Sequence, residues 1–182
     1  MISYMDTNVF LARFKPDDPY HSSCQKIVRE LGKEGLRGCT SSLAILEVAS
    51  VTSRSIETRS GSLHELGVQD RGRVISALIK RLMRLNLVFV DPLDDVQLLS
   101  EGKSVRMPAL LHGALNLTYN VGLRTLDCMH IASLICARRL LDEEIRFFVT
   151  GDADFLQRKK RLREITGSSF VDPDEFVTLI GL

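Results

Sequence analysis

Five acidic residues of this 182-residue chain stand where an acid can do more than solvate a surface: Asp6, Glu47, Asp127, Asp152 and Asp154. Asp6 ends the apolar run Ile2 to Met5. Asp152 and Asp154 follow Ile145 to Val149 within IRFFVTGDADF, a run rich in β-branched and aromatic residues that reads as a buried strand. Open α/β sheets bind ligands beyond the C-terminal ends of their strands, which is where both turns put their carboxylates. Glu47 is the one charged residue between Ser42 and Thr52, a segment otherwise apolar or small that predicts a helix buried on nearly all sides. A buried carboxylate needs a partner, a metal or a proton. Asp127 heads a helix expected from a Thr125 cap to about Leu141, with Ile131 and Leu134 on its face.

Each acid alone has a plain structural explanation: a helix cap for Asp152 or Asp154, a helix-dipole carboxylate for Asp127, an ion pair for Glu47. Brought together on one sheet edge, four carboxylates do not all stay ionised without a cation. Oxygen ligands suit Mg²⁺ or Mn²⁺, and the lack of a Cys/His cluster argues against zinc. A metal so held activates water and polarises a phosphoryl oxygen, so phosphodiester hydrolysis is the natural candidate.

Strands and helices must alternate to assemble such an edge. Beyond the first strand, Cys24, Ile27, Val28 and Leu31 keep helical spacing from Tyr20 until Gly32 and Gly35, and Leu36 to Thr40 follows as a short strand. Ser41 or Ser42 caps the Glu47 helix. Residues 53–69 read as a surface connection, followed by a helix with Val74, Leu78, Leu82 and Leu85 on one side and a strand at Leu87 to Val90. Asp91-Pro92 and Asp172-Pro173 repeat the same Phe-Val-Asp-Pro letters, so both aspartates are read as caps of following helices and left out of the site. Asp94 to Asn120 is expected to be mostly helical, broken near Pro108, with Gly122 as a boundary. A helix from Phe155 to Arg163, a strand from Ser168 to Val171 and a helix from Asp174 to Ile180 complete an alternation that predicts a mostly parallel sheet covered on both faces.

These residues also carry a resemblance. Asp6-Thr7-Asn8-Val9, Glu47 within Ser-Ser-Leu-Ala-Ile-Leu-Glu-Val, Asp127 within Leu-Asp-Cys-Met-His-Ile-Ala, and Thr150-Gly-Asp-Ala-Asp-Phe155 resemble, in this order, the acidic motifs of PIN-domain ribonucleases, particularly VapC-like toxins. The resemblance implies a three-layer α/β/α sandwich around a parallel sheet and Mg²⁺- or Mn²⁺-dependent endonucleolytic cleavage of RNA. It makes Asp6, Glu47, Asp127 and Asp152 the acidic site, with Asp154 an accessory ligand or helix cap. Thr7, Asn8 and Thr150 would orient the carboxylates or water. An antitoxin protein and a homodimer are the partners it suggests. The chain departs from the family at Cys128, where the motif has a small residue, and in extra length near residues 53–69 and 100–113.

Composition sets the outer bounds. The length fits one domain spanning residues 1–182. A formal net charge of +1 gives no global polyanion signature, so nucleic-acid binding must come from local patches. Arg158, Lys159, Lys160, Arg161 and Arg163 form one such patch, an RNA track beside the acidic turn or a solvated helix face. Cys24, Cys39, Cys128 and Cys136 form no CxxC pair and read as reduced core thiols of a cytoplasmic protein. The longest charge-free stretch, Met107 to Leu123, holds Pro108, His112, Asn116 and Asn120 and is too polar for a membrane span. His130 follows Asp127 by three residues and reads as a hydrogen-bonded histidine at the core edge, since histidine ligands usually keep company with other imidazoles or thiolates. Gly102-Lys103-Ser104 has Gln97 where a phosphate-binding loop needs glycine. Two other readings stay open: a non-catalytic RNA- or protein-binding domain, and a Mg²⁺-dependent small-molecule phosphatase with Asp6 as nucleophile. Against the latter, Asn8 stands where aspartate-nucleophile phosphatases place a second acid.

Overall fold

The structure is a computed structural model that describes residues 2–58, 68–91, 94–100 and 103–182. In chain order the elements are β1 (Ile2–Met5), α1 (Thr7–Ala12), α2 (His21–Gly32), β2 (Arg37–Thr40), α3 (Leu43–Thr58), α4 (Val68–Leu82), β3 (Leu87–Phe89), β4 (Asp95–Ser100) and β5 (Lys103–Pro108). They continue as α5 (Ala109–Val121), α6 (Thr125–Leu140), β6 (Ile145–Val149), α7 (Ala153–Gln157), α8 (Lys159–Thr166), β7 (Ser169–Val171) and α9 (Pro173–Ile180).

Five strands pair in parallel in the order β3-β2-β1-β6-β7. The chain winds one way from β1 through β2 to β3 and the other way from β6 to β7, so the direction reverses between β1 and β6. Crevices at such switch points bind ligands.

Side-chain alternation divides the apolar residues between two faces. Ile2, Tyr4, Phe148 and Phe170 pack with α5, α6, Phe155 and Leu162, whereas Met5, Phe147, Val149 and Val171 pack with α1, α2, α3 and α9. Helices on both faces make the three-layer α/β/α sandwich expected from the sequence. The β1–β6 register slips at one point, where Ile2 pairs with Ile145 and Ser3 with Phe147. That irregularity leaves Arg146 exposed and lets Ile145 and Phe148 share a face although their spacing is odd. Phe148 lies at the centre of its layer, stacked 4.9 Å from Tyr4 and 4.6 Å from Phe170. Such aromatic pairs add roughly 0.5–1.5 kcal/mol beyond the area they bury.

Several local expectations change. Within Asp94 to Asn120, β4 and β5 pair antiparallel, with the Arg106 side chain 2.7 Å from Asp95 across the pair; among the described residues of that stretch only α5 is helical. The apolar residues Val96, Leu98, Val105 and Met107 of the pair alternate with period two, the signal that a helical reading passes over. Leu99 at 74% and Val105 at 52% exposure show how little the core holds this pair. The Glu47 helix is not buried all round, since Leu46 is 65% exposed on its outer side. That helix also runs through 53–58, so the expected surface connection is partly helical; residues 59–67 lie outside the described residues.

The two Phe-Val-Asp-Pro copies also behave differently. Asp172 caps α9, accepting the Glu175 N–H at 2.8 Å with Pro173 in the first turn. Asp91 instead accepts the Ser41 hydroxyl at 2.7 Å and the Ser42 N–H at 3.0 Å, tying β3 to the start of α3. Thr125 is the first helical residue of α6 rather than its cap, and Arg158 splits the expected single helix into α7 and α8. Gly122 ends α5 with φ 65°, as its type suggests. Cys24, Cys39 and Cys128 are buried free thiols, and burial pushes Cys24 and Cys39 up to about 12, so they are inert at neutral pH. Among the described residues no helix is long and apolar enough to cross a membrane.

Candidate active site

The site begins where β1 stops. The Asp6 N–H still follows the sheet, donating to the Val149 carbonyl of β6 at 3.1 Å, and its side chain turns back to accept the Thr7 N–H at 2.7 Å. Asp6 is therefore the N-cap of α1 and a site residue together. Its other oxygen accepts the Thr150 hydroxyl at 2.7 Å, across the switch point. Thr150 links several groups, accepting from Asn8 Nδ2 and from the Asp152 N–H, each at 3.0 Å. Asn8 Oδ1 in turn accepts the Gly151 N–H at 3.0 Å. A Cβ on Gly151 would stand 2.9 Å from the Tyr20 ring, so only glycine lets the turn pass this closely. The turn after β6 is thus locked to the turn after β1 by side chains of Asp6, Asn8 and Thr150.

Glu47 enters from α3. Its Oε2 accepts the Thr7 hydroxyl in a very short hydrogen bond and lies 2.8 Å from His130 Nε2. Three residues, just under one helical turn, separate His130 from Asp127 on α6, and its Nδ1 lies 3.0 Å from the buried Tyr4 hydroxyl. Burial keeps the Tyr4 phenol protonated, well above its ordinary value of 10.0. A neutral His130 then accepts at Nδ1 and donates from Nε2 to Glu47. Asp127 Oδ2 accepts the Arg124 N–H at 3.3 Å, and Asp152 Oδ1 accepts the Asp154 N–H at 2.7 Å. The plain explanations open in sequence, a cap for Asp152 and a helix-dipole carboxylate for Asp127, are both met, and both residues line the cleft as well.

That cleft holds about 370 Å³ and is bounded by Asp6, Glu47, Asp127 and Asp152, with Thr7, Asn8 and His130 between them. Leu46 and Leu126, both exposed, stand on its rim. Neither stands out in the sequence as a site residue, because an apolar residue on a helix reads as core. Asp154 does not line the cleft; it pairs with Arg158 at 3.5 Å. Two residues of the basic patch have local partners: Arg158 donates to the Asp154 carbonyl at 3.0 Å and Arg161 pairs with Glu164 at 3.5 Å. The sequence signal for His130 is its helical spacing from Asp127, which puts both on one side of α6.

The electrostatics set the four acids apart. Burial raises the Asp6 carboxyl above its ordinary range, and the nearby Glu47 charge adds to this against the opposing His130 and Thr150. Asp127 is raised by burial and by repulsion from Asp152 and Asp6. Burial also pushes Glu47 up, but the His130 hydrogen bond and charge, with Thr7, more than offset it and hold Glu47 below its usual range. His130 is driven down by burial and up more strongly by Glu47, Asp6 and Asp127, so it titrates above its ordinary value.

The donors that face this cleft are carboxylate oxygens, the type that Mg²⁺ or Mn²⁺ takes. Glu47, Asp127 and Asp152 each keep one carboxylate oxygen that accepts no hydrogen bond from the described residues. Burial is the main cause of the raised Asp6 and Asp127 carboxyls; the repulsion that Asp152 and Asp6 add at Asp127 is the part that a cation would relieve. Among the described residues, no three His, Cys, Asp or Glu side chains already stand close enough to enclose an ion. Asp6, 5% exposed with both oxygens engaged by protein donors, is poorly placed for covalent attack on a phosphate.

The family model of the PIN domain matches residues 3–161. The chain belongs to the PIN-domain family. Its matched span includes every acid of the cleft and the strands β1, β2, β3 and β6 beneath them but for Ile2, and ends before β7. PIN domains are nuclease-like folds, typically hydrolases and generally metal-dependent ribonucleases. Among curated proteins, none matches this chain.

Proposed function

We propose that this PIN domain is an endoribonuclease that hydrolyses RNA phosphodiester bonds with Mg²⁺ or Mn²⁺ at the Asp6, Glu47, Asp127 and Asp152 cleft. The observation that carries this reading is convergence: acids from four separate chain segments line one crevice at the switch point of a parallel sheet. The unengaged oxygens of Glu47, Asp127 and Asp152, with Asp6 behind them, would hold the ion. When bound, the metal would supply charge for the phosphoryl oxygens and lower the pKa of a water.

The chain's own groups do the rest. Thr150 and the Thr7 N–H hold Asp6 in one rotamer, and Thr7 with His130 does the same for Glu47. Fixing carboxylates in advance removes reorganisation from the reaction. Glu47 stays ionised at neutral pH, which keeps its free oxygen available to the ion. Asn8 and Gly151 keep the Asp152 turn against α1, so the acids from β1 and β6 move as one body.

The finer reading is the toxin of a toxin–antitoxin pair, a cytoplasmic protein acting as one unit, with the antitoxin closing the acidic cleft. A homodimer belongs to it too: Leu111, Leu115 and Tyr119 repeat every four residues on α5 and stay exposed, and sedimentation of the purified chain tests that pairing. For the activity itself, purified protein is expected to cleave single-stranded RNA with Mg²⁺ or Mn²⁺ and not with EDTA. Asp6→Asn and Asp152→Asn are expected to fold and not cleave. Cleavage at the parental rate by both variants would refute the site.

A further inference from the structure

A second charged surface lies at the other end of α1. Asp6 caps the N-terminus of this helix and Arg13 caps its C-terminus. At 1.5 Å per residue, the seven steps from Asp6 to Arg13 span about 10 Å. Around Arg13 a groove of about 790 Å³ opens between α1, α2 and the end of α4, more than twice the volume of the acidic cleft, so it admits a chain rather than an ion. The residues just after α1 contribute Arg13 and Phe14, α2 with its C-cap contributes Lys26, Arg29 and Lys33, and the end of α4 with the residues after it contributes Arg81 and Arg84.

These cations are poorly matched by acid. Glu30 pairs with Arg29 at 3.4 Å and with Lys33 at 3.8 Å. No described carboxylate lies within ion-pair distance of Arg13, Lys26, Arg81 or Arg84. The Arg13 guanidinium is pushed below its ordinary value by burial and by Arg81. Like charges this close, with no acid between them, are relieved by an anion from outside. Phe14 separates this groove from a polyanion site of charge alone: it is 43% exposed among the cations, with the Arg13 guanidinium carbon 4.8 Å from its ring centre. Cations along a groove with an exposed aromatic among them fit single-stranded nucleic acid, where phosphates pair and a base stacks. An acidic protein segment would have no use for the ring.

We propose that this groove binds the phosphate backbone of single-stranded RNA, with Phe14 as the stacking surface for one base, and so holds the strand beside the acidic cleft. The proposal rests on the ribonuclease reading for the identity of the strand, but not for binding itself. The acidic cleft repels RNA until it carries a cation, so a separate cationic holding surface gives the substrate somewhere to bind.

Binding is measured on the full chain in EDTA, by fluorescence anisotropy of a short labelled single-stranded RNA across a salt series. Arg81→Glu/Arg84→Glu is expected to lower affinity at least about tenfold and to flatten the slope of log K against log salt by roughly 0.7 for each phosphate no longer neutralised. Phe14→Ala is expected to lower affinity about tenfold with the slope unchanged. Should circular dichroism show the double variant unfolded, Lys26→Glu/Arg84→Glu carries the same expectation. Unchanged affinity and slope in a folded double variant would overturn the proposal. It is also overturned if polyglutamate competes as well as unlabelled RNA and Phe14→Ala has no effect, which would assign the groove to an acidic protein segment. Groove-dependent binding by a protein that never cleaves upholds this inference and defeats the ribonuclease reading. Cleavage that proceeds, with groove variants binding RNA like the parent, defeats the groove alone.

Discussion

The two ends of α1 carry opposite charge by opposite means. At the Asp6 end, acids from distant segments are drawn in by hydrogen bonds from Thr7, Thr150 and His130, Asn8 bracing Thr150 in turn, with Asp6 and His130 almost fully buried. At the Arg13 end, five exposed cations surround the half-buried Arg13, with Glu30 as their one carboxylate partner among the described residues. A net charge of +1 conceals both fields because it sums 24 basic and 23 acidic residues over the whole chain. The contrast teaches that positioning chemistry needs the rigidity that burial provides, while holding a polyanion needs exposed charge and little order.

The sharpest way to break the comparison is Asp6→Asn. RNA cleavage with Mg²⁺ is expected to fall on the order of 100-fold or more, while RNA affinity in EDTA holds or tightens as negative charge leaves the cleft. A parallel loss of binding would mean that the two ends are one site. Next comes Arg81→Glu/Arg84→Glu, expected to raise KM about tenfold through weaker binding, with kcat nearly unchanged. A fall in kcat alone would place the arginines in the chemistry instead.

His130→Ala tests what holds the acidic end together. It strips Glu47 and the Tyr4 hydroxyl of their shared partner and is expected to cost about 2–3 kcal/mol in chemical denaturation, since buried polar groups are left unpaired. The same pair predicts a pH signature in metal-free protein. His130 titrates above its ordinary 6.5, so its contribution is complete below that value and is lost as pH rises through the folded pKa. Glu47 titrates below its ordinary 4.5, so its contribution is complete above that value and is lost as pH falls through the folded pKa. The stability difference between the parent and His130→Gln is therefore expected to be greatest between pH 4.5 and 6.5, read from Tm against pH. The smallest effect is expected at Lys159→Glu/Lys160→Glu, with RNA affinity falling less than about threefold, because neither lysine lines the cleft or the groove.

The acids are legible in the sequence because three of the four stand at element boundaries that composition marks: Asp6 and Asp152 end apolar strands, and Asp127 opens a helix. Glu47 is legible for the opposite reason, as one charge in an apolar helix. The basic groove is not legible. Its residues are scattered from Arg13 to Arg84 and make no run, whereas the run that does stand out, Arg158 to Arg163, is partly engaged with Asp154 and Glu164. The pair of β4 and β5 escapes a helical reading because its apolar residues are sparse and largely exposed, so burial left only a weak period-two pattern in the sequence.

By itself the sequence determined the alternation of strands and helices, the sandwich they build and the four acids that end on one edge. Those are local properties, written in periodicity, capping residues and β-branched runs that each segment carries without reference to the others. Tertiary structure alone decided that His130 and Tyr4 hold Glu47, that Asp91 serves α3 rather than a helix of its own, and that cations from α1, α2 and α4 share a groove. Each of these depends on contacts between segments dozens of residues apart, and spacing along the chain does not record which of many distant partners the packing of the sheet will bring together.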